Sequence, residues 1–258
     1  MSRLSMDQSL AESYTSKSQK IRVMSEAWTE AEIFCPACGN SLRGAPNNSK
    51  VFDFLCTKCI AEYELKSNAR SLAKKASDGA YDSMMSRLNA LQSPHFFFMG
   101  YDIARYEVKN FFVVPSHFLR PDLIEKRKPL SSSAHRAGWV GCNILLDQIP
   151  EIGRISYVKN GLFVQPALVM NAWEKTAFLA ESKSMESRGW TIDILRCVER
   201  IHQAEFSLEQ IYQFEAELAE RYPNNNFVKD KIRQQLQVLR DRGLIEFVNR
   251  GKYRLVKS

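Results

Sequence analysis

Two Cys-x-x-Cys pairs, Cys35-Pro-Ala-Cys38 and Cys56-Thr-Lys-Cys59, stand 17 residues apart in a chain of 258. Two tight knuckles that supply two thiolates each form the tetrahedral ligand set of a zinc site. Gly39, directly after the first pair, suits the sharp turn that a knuckle needs. The alternatives are two disulfides or a redox pair. Disulfides are rare in a cytoplasmic chain, and a thioredoxin-like site needs one pair only. A structural Zn2+ is therefore expected, because four thiolates leave no position open for water. Cys142 and Cys197 have no partners at ligand spacing and read as buried small hydrophobes.

A second group with chemical potential is Asp53 with Glu64-Leu65-Lys66. The second cysteine pair falls at the turn between two strand-like runs, Val51–Leu55 and Ala61–Ser67. Side chains alternate across a strand, so Glu64 and Lys66 share a face, Glu62 lies on it nearer the knuckle, and Leu65 points away. Folding the hairpin brings Asp53 opposite Glu64. Two carboxylates with a phosphate oxygen are the usual hold on Mg2+, and Lys66 is then placed to orient or deprotonate an attacking water. Spacing alone is a weak signal here. Charged residues alternating with apolar ones also describe the solvent face of any edge strand.

The elements around these residues follow from periodicity. Residues 1–30 read as a helix carrying Leu10, Tyr14, Ile21 and Trp28, and Phe34 to Cys59 as a loop-rich insert. Tyr81, Met84, Met85, Leu88 and Leu91 recur at helical spacing, predicting an amphipathic helix over Asp78–Gln92 with its Met stripe in the core. Phe96–Tyr101 and Phe111–Val114 are continuous apolar runs, expected as central strands buried on both faces. Leu119–Asn143, punctuated by Pro121, Pro129, Gly138 and Gly141, reads as a long loop, and Ile155–Val158 as a further strand. Composition turns small and polar over Ala180–Ser187, a linker. Beyond it the pattern is helix (Thr191–His202), helix (Leu208 to about Tyr222, capped by Ser207) and helix. The third is capped by Asn225 or Asn226, has Phe227, Ile232, Leu236 and Leu239 on its apolar face, and ends at Gly243. A hairpin of Leu244–Val248 and Lys252–Val256 around Asn249-Arg250-Gly251 completes a winged helix. The expected organisation is an α/β (α+β) domain over 1–181 followed by a winged helix over 184–258.

Net charge is +7, and its placement says more than its size. From Arg221 to the C-terminus there are ten Lys/Arg against three acids, a local +7, while the first 220 residues carry 26 of each sign. Such a field favours a polyanion, most often nucleic acid. The apolar runs are too short to span a bilayer and Met1 to Lys20 has no signal-peptide core, so a cytoplasmic protein without a membrane partner is expected. The four His are scattered without metal-ligand spacing, against a His-based nuclease or zinc hydrolase, and no phosphate-binding G-x-x-x-x-G-K-[ST] loop implies a nucleotide cofactor.

Asp53, Glu64 and Lys66 resemble the catalytic core of the PD-(D/E)xK nuclease superfamily, with Phe52 where that motif often has Pro. Longer strings resemble the DpnI-type methyl-directed (type IIM) restriction endonucleases along nearly the whole chain. They include Cys38-Gly39-Asn40, Glu64-Leu65-Lys66-Ser67, Asp78-Gly79-Ala80-Tyr81, Arg136-Ala137-Gly138-Trp139, Ser187-Arg188-Gly189-Trp190 and Lys231-Ile232-Arg233-Gln234-Gln235-Leu236. The resemblance implies Mg2+-dependent cleavage of double-stranded DNA at G-A-T-C carrying N6-methyladenine, with the metal on Asp53, Glu64 and the Leu65 carbonyl. It also implies that both domains can read the methylated site.

The methyl group projects into the major groove, within reach of a recognition helix. Asn225, Asn226, Lys229, Asp230, Arg233 and Gln234 on the third helix are the candidate base readers, and Arg250 and Lys252 in the wing are candidate phosphate contacts. In the first domain, Arg136 and Trp139 are the candidates, an indole being able to pack against methyl groups; the alternative for Trp139 is a core tryptophan under a loop. A monomer is expected. The rival reading is a zinc-containing winged-helix regulator that binds DNA without cutting it. A third is a repair or mobile-element nuclease indifferent to methylation.

Overall fold

The two continuous apolar runs become the middle of a seven-stranded sheet, and their alternation explains why both faces are buried. The protein is described from a computed structural model covering residues 3–45, 52–69, 72, 74–90, 93–182 and 184–256. It divides into two compact units, Met1–Ile149 with Gly153–Trp173, and Pro150–Ile152 with Glu174–Ser258.

In the larger unit the strands are β1 (Leu42–Gly44), β2 (Phe54–Cys56), β3 (Glu62–Asn68), β4 (Lys75–Ala80), β5 (His95–Asp102), β6 (Glu107–Val114), β7 (Ile124–Lys126), β8 (Gly141–Leu145), β9 (Ile155–Lys159) and β10 (Leu162–Phe163). The helices are α1 (Lys17–Glu32) and α2 (Tyr81–Asn89), with α3 (Pro166–Ala177) running across the division between the units. The large sheet has the order β1-β2-β3-β5-β6-β9-β10, and a smaller one the order β4-β8-β7. β3 and β5 are parallel, and β4 with α2 form the crossover between them. Phe97 and Met99 face the core shared with Trp28 of α1, whereas Phe96 and Phe98 face the other way; all four phenylalanine and methionine side chains of β5 are fully buried. Phe97 stacks on Tyr63 of β3 with centroids 4.6 Å apart.

Several expectations change. The N-terminal helix starts at Lys17, after a single helical turn at Gln8–Ala11, because Ser5 bridges to Glu107 and ties the preceding segment to the start of β6. The helix expected from Asp78 begins at Tyr81, since Lys75–Ala80 pairs with β8 and Asp78 lies on that strand. Leu91 and Gln92 lie outside the described residues, and so does Val51. The long loop of 119–143 contributes strand residues at both ends, Ile124–Lys126 and Gly141–Leu145, and is hydrogen-bonded in between, Leu130 N–H to Trp139 O and Gly138 N–H to Leu130 O.

The smaller unit packs α4 (Met185–Arg200), α5 (Leu208–Tyr212), α6 (Glu215–Arg221) and α7 (Val228–Asp241) with a sheet of β11 (Glu205–Ser207), β12 (Ile245–Asn249) and β13 (Lys252–Leu255) in the order β11-β13-β12. α4 starts six residues earlier than expected, at Met185, because Ser184 caps it by accepting from Ser187 N–H. Its buried Trp190 stacks on Tyr222 at 4.0 Å, and Thr191 donates to Gln235 of α7 at 2.6 Å. Ser207 and Gln210 form a reciprocal capping box, but the helix it opens breaks at Gln213-Phe214 into α5 and α6. Phe227 is 71% exposed, so Val228 rather than Phe227 begins the apolar face of α7. Phe227 is itself the helix N-cap residue, and Asn225 acts two residues earlier, its side-chain oxygen accepting from Phe227 N–H at 2.9 Å.

His95 offers a test of this packing. Its Nδ1 accepts from Ser116 N–H at 2.9 Å, its ring lies against Tyr63 and Trp173, and burial holds its pKa down at about 4. A folded value below the ordinary value of 6.5 means that its neutral form contributes stability above pH 6.5, lost as pH falls toward 4. His95→Asn, which keeps an acceptor near Nδ1, is expected to flatten the urea-unfolding profile between pH 6.5 and 4 relative to the parent. Parallel profiles would contradict the buried neutral imidazole.

Candidate active site and metal centre

The cysteine cluster grows from two similar turns. Gly39 N–H donates to Cys35 O at 2.8 Å, and Cys56 N–H donates to Ala61 O at 2.9 Å. In each the residue after the second cysteine is left-handed, Gly39 at φ 73° and Ile60 at φ 62°. A β-branched residue adopts that conformation only where its surroundings impose it, and Ile60 is 59% exposed, so the turn and not core packing imposes it. Cys35 Sγ lies 3.5 Å from Cys59 Sγ, Cys38 Sγ lies 3.4 Å from Cys56 Sγ, and all four sulfurs are within 4.8 Å of one another. A disulfide needs about 2.05 Å; these are free thiols. Zinc–sulfur bonds of about 2.3 Å in a tetrahedron place sulfurs about 3.8 Å apart, so the cluster could hold zinc. Lys58 N–H and Cys59 N–H point at Cys56 Sγ, Asn40 Nδ2 at Cys38 Sγ, and the Tyr63 hydroxyl lies 3.1 Å from Cys35 Sγ. Burial pushes the Cys35 thiol up, so a thiolate there needs a cation beside it.

The second turn joins β2 to β3, which pair with Phe54 opposite Tyr63 and Leu55 opposite Glu62. Asp53 was expected on the first strand, yet it lies in the bend just before β2. It is nonetheless tied to β3, its N–H donating to Tyr63 O at 2.8 Å and its Oδ2 accepting from Leu65 N–H at 2.7 Å. Burial raises the Asp53 carboxyl, more than the Leu65 N–H and the Lys66 charge lower it. Along β3, Tyr63 and Leu65 pack into the α1-side core while Glu64 and Lys66 share the opposite face.

On that face Lys66 Nζ pairs with Glu64 Oε1 and with Asp78 Oδ1, and sits 5.7 Å from the Phe96 ring centre. Arg87 Nη1 of α2 donates to Glu64 Oε2 at 3.0 Å. Side-chain exposure is 18% at Lys66, 16% at Glu64 and 1% at Asp78, a poorly solvated patch in which charges act strongly on one another. Burial acts to lower the Lys66 pKa, but the Glu64 and Asp78 carboxylates outweigh it and hold the ammonium above its ordinary value. Asp78 and Arg87 were not singled out in the sequence. Their signal was hidden in the helical periodicity of residues 81–91, although the Asp78-Gly79 pair argued against a helix there. His117 and His95 are structural neighbours of aromatic rings, consistent with the absence of ligand spacing.

Arg136 and Trp139 are brought together in the segment between β7 and β8, the guanidinium 4.9 Å from the indole centre. Trp139 is half-buried and not a core residue; its ring covers Gly141, where an added Cβ would lie 2.8 Å from it. In the smaller unit, Asn225, Asn226, Asp230 and Gln234 line one concavity of about 470 Å³ with the exposed Phe227. Arg233 is exposed and paired with Asp230, while Lys229 turns to Glu215 at 3.2 Å and the Tyr212 ring. Arg250, in the hairpin turn, and Lys252, at the start of β13, are exposed and do not join that concavity.

No helix among the described residues is long and apolar enough to cross a membrane. A family model for DpnI, described as the Dam-replacing family, matches residues 2–182, and a second, described as the Dam-replacing HTH domain, matches residues 186–255. The mixed α/β unit with its cysteine cluster and the helix-turn-helix unit thus fall under the two halves of one architecture, and the chain belongs to the DpnI, Dam-replacing family, whose members' function is of the methylation-dependent restriction type.

Proposed function

We propose that the protein is a Mg2+-dependent type IIM restriction endonuclease that hydrolyses double-stranded DNA at GATC sites carrying N6-methyladenine. It is read as a cytoplasmic monomer with a PD-(D/E)xK domain over 1–181 and a winged helix over 184–258. The observation that carries this reading is the grouping of Asp53, Glu64 and Lys66 around one hairpin, in a chain matched by the family along nearly its whole length.

The donor set suits Mg2+: two carboxylates and the Leu65 carbonyl are hard oxygen ligands. Glu64 meets Lys66 and Arg87 with one oxygen each, and a carboxylate oxygen has lone pairs enough to serve a further cation. When bound, the ion supplies Lewis-acid stabilisation of charge developing on the phosphoryl oxygens. Lys66, held as an ammonium by Glu64 and Asp78, orients the attacking water and faces the charge developing on the phosphate, from a site where Phe96 and Asp78 limit access by solvent. Arg87 holds Glu64 in place from α2. Zn2+ on Cys35, Cys38, Cys56 and Cys59 is structural and clamps the turn that carries these groups.

For recognition, Asn225, Asn226, Asp230, Arg233 and Gln234 of the α7 region read base edges, with Lys229 beside them, while Arg250 and Lys252 hold phosphates. Phe227 joins that surface, an apolar side chain left in solvent where DNA would lie. In the larger unit Arg136 and Trp139 meet the methyl groups.

Incubation of methylated and unmethylated plasmid with Mg2+ tests the reading directly. Cleavage of the methylated plasmid alone is expected, and Asp53→Ala or Lys66→Ala should slow it by about a hundredfold or more. Binding without nicking would return the protein to the regulator class, and cleavage of both plasmids to a methylation-blind nuclease. Trp139→Ala should lower discrimination roughly tenfold, from about 0.8 kcal/mol for each of two buried methyl groups; unchanged discrimination would rule the indole out. Elemental analysis should find one zinc per chain, released in Cys56→Ser together with a fall in the urea midpoint, and a midpoint that stays put would deny the ion its clamping role.

A further inference from the structure

Asp78 is the most deeply buried carboxylate beside the proposed active site, and the proposed function gives its charge no task. Its side chain is 1% exposed, one oxygen is paired with Lys66 Nζ, and the other, Oδ2, has no hydrogen-bond partner among the described residues. A buried ion pair contributes little net stability once desolvation is counted, and an unsatisfied carboxylate oxygen costs more. Stability does not account for Asp78.

Its placement is specific. Asp78 lies on β4, in a different sheet from Lys66, opposite Cys142 of β8, and the register of that pairing shifts between Asp78 and Ala80. Such a bulge re-aims a side chain. The same crossover continues into α2 and delivers Arg87 to Glu64, so Glu64 and Lys66 each receive a counter-charge from one segment. Lys66 is bracketed by Glu64 on its own strand and by Asp78 from β4, with Phe96 beneath.

We propose that Asp78 is a positioning residue for Lys66: it anchors the ammonium from the side away from the proposed metal, so that Nζ keeps its place when Glu64 turns its charge toward the ion and the DNA. Without Asp78, Glu64 is the one carboxylate among the described residues left to hold Nζ, and Glu64 is the group that the metal shares. A displacement of about 1 Å at such a position typically costs about a hundredfold in rate. This inference rests on Lys66 acting in cleavage as proposed above.

Asp78→Asn, isosteric but uncharged, is the direct test. Single-turnover cleavage of methylated duplex should slow by about tenfold to a hundredfold, with affinity for the duplex in the absence of metal unchanged. In the metal-free protein, acylation of Lys66 followed by mass spectrometry should become several-fold faster, because the amine is no longer held. In a Lys66→Gln background, adding Asp78→Asn should cause no further loss, since Asp78 acts through Lys66. Cleavage at the parent rate, an unchanged acylation rate, or losses that add in the double variant would each overturn the proposal. Should Asp78→Asn fail to fold, Asp78→Glu keeps the charge but shifts it by a methylene, and the same measurements decide. If Lys66→Gln itself cleaves normally, the role of Lys66 in cleavage fails, while the acylation rate still reports whether Asp78 holds Lys66.

Discussion

Strict alternation along β3 governs the chemistry of the larger unit. Tyr63 and Leu65 enter the core beneath α1, and Glu64 and Lys66 therefore face β4 and α2. A slip of one residue would exchange the two sets, burying both charges among aromatic rings. The cysteine cluster guards that register from the turn at Cys56–Cys59, and Tyr63 extends the same control into the strand by resting its hydroxyl on Cys35. Tyr63, which touches Cys35, and Glu64 are thus neighbours on one strand. Whatever holds the sulfurs together also sets where Glu64 lies.

The poorly solvated patch on the far face gains its character from the β4–α2 crossover. Parallel pairing of β3 with β5 obliges the chain to leave the sheet and return to enter β5 from the same end, and the returning segment carries Asp78 and Arg87 over the strand it left. Opposite charges then meet at low exposure, where their mutual influence is large. Asp53 is held differently, by backbone hydrogen bonds to Tyr63 and Leu65 from a bend outside the strand. This fixes its carboxyl on the Leu65 N–H without requiring a regular ladder on either side.

The smaller unit uses charge in the opposite manner. Its interior is apolar, around Trp190, Ile194, Ile232, Leu236 and Leu239, with Asp193 clamped by Arg221 and Tyr222. Arg233, Arg250 and Lys252 lie on the surface, where they attract a polyanion at long range and are screened by salt. Phe227 breaks that pattern: its ring stands in solvent because Asn225 holds its N–H and turns the chain there before α7 begins.

Much of this was legible in residue order. Cysteine spacing, the alternation of Glu64-Leu65-Lys66, the buried runs of β5 and β6, the Ser207 cap and the C-terminal excess of positive charge are all properties of short stretches of chain, governed by chelate bite, strand period and helix capping. Asp78 and Arg87 beside β3, the bend at Asp53, the break at Gln213-Phe214 and the exposure of Phe227 were decided by tertiary structure. Local periodicity states which face of an element is apolar. Which distant segment crosses that face, and which counter-charge it brings, depends on sheet order and crossover, and these exist only once the chain has folded.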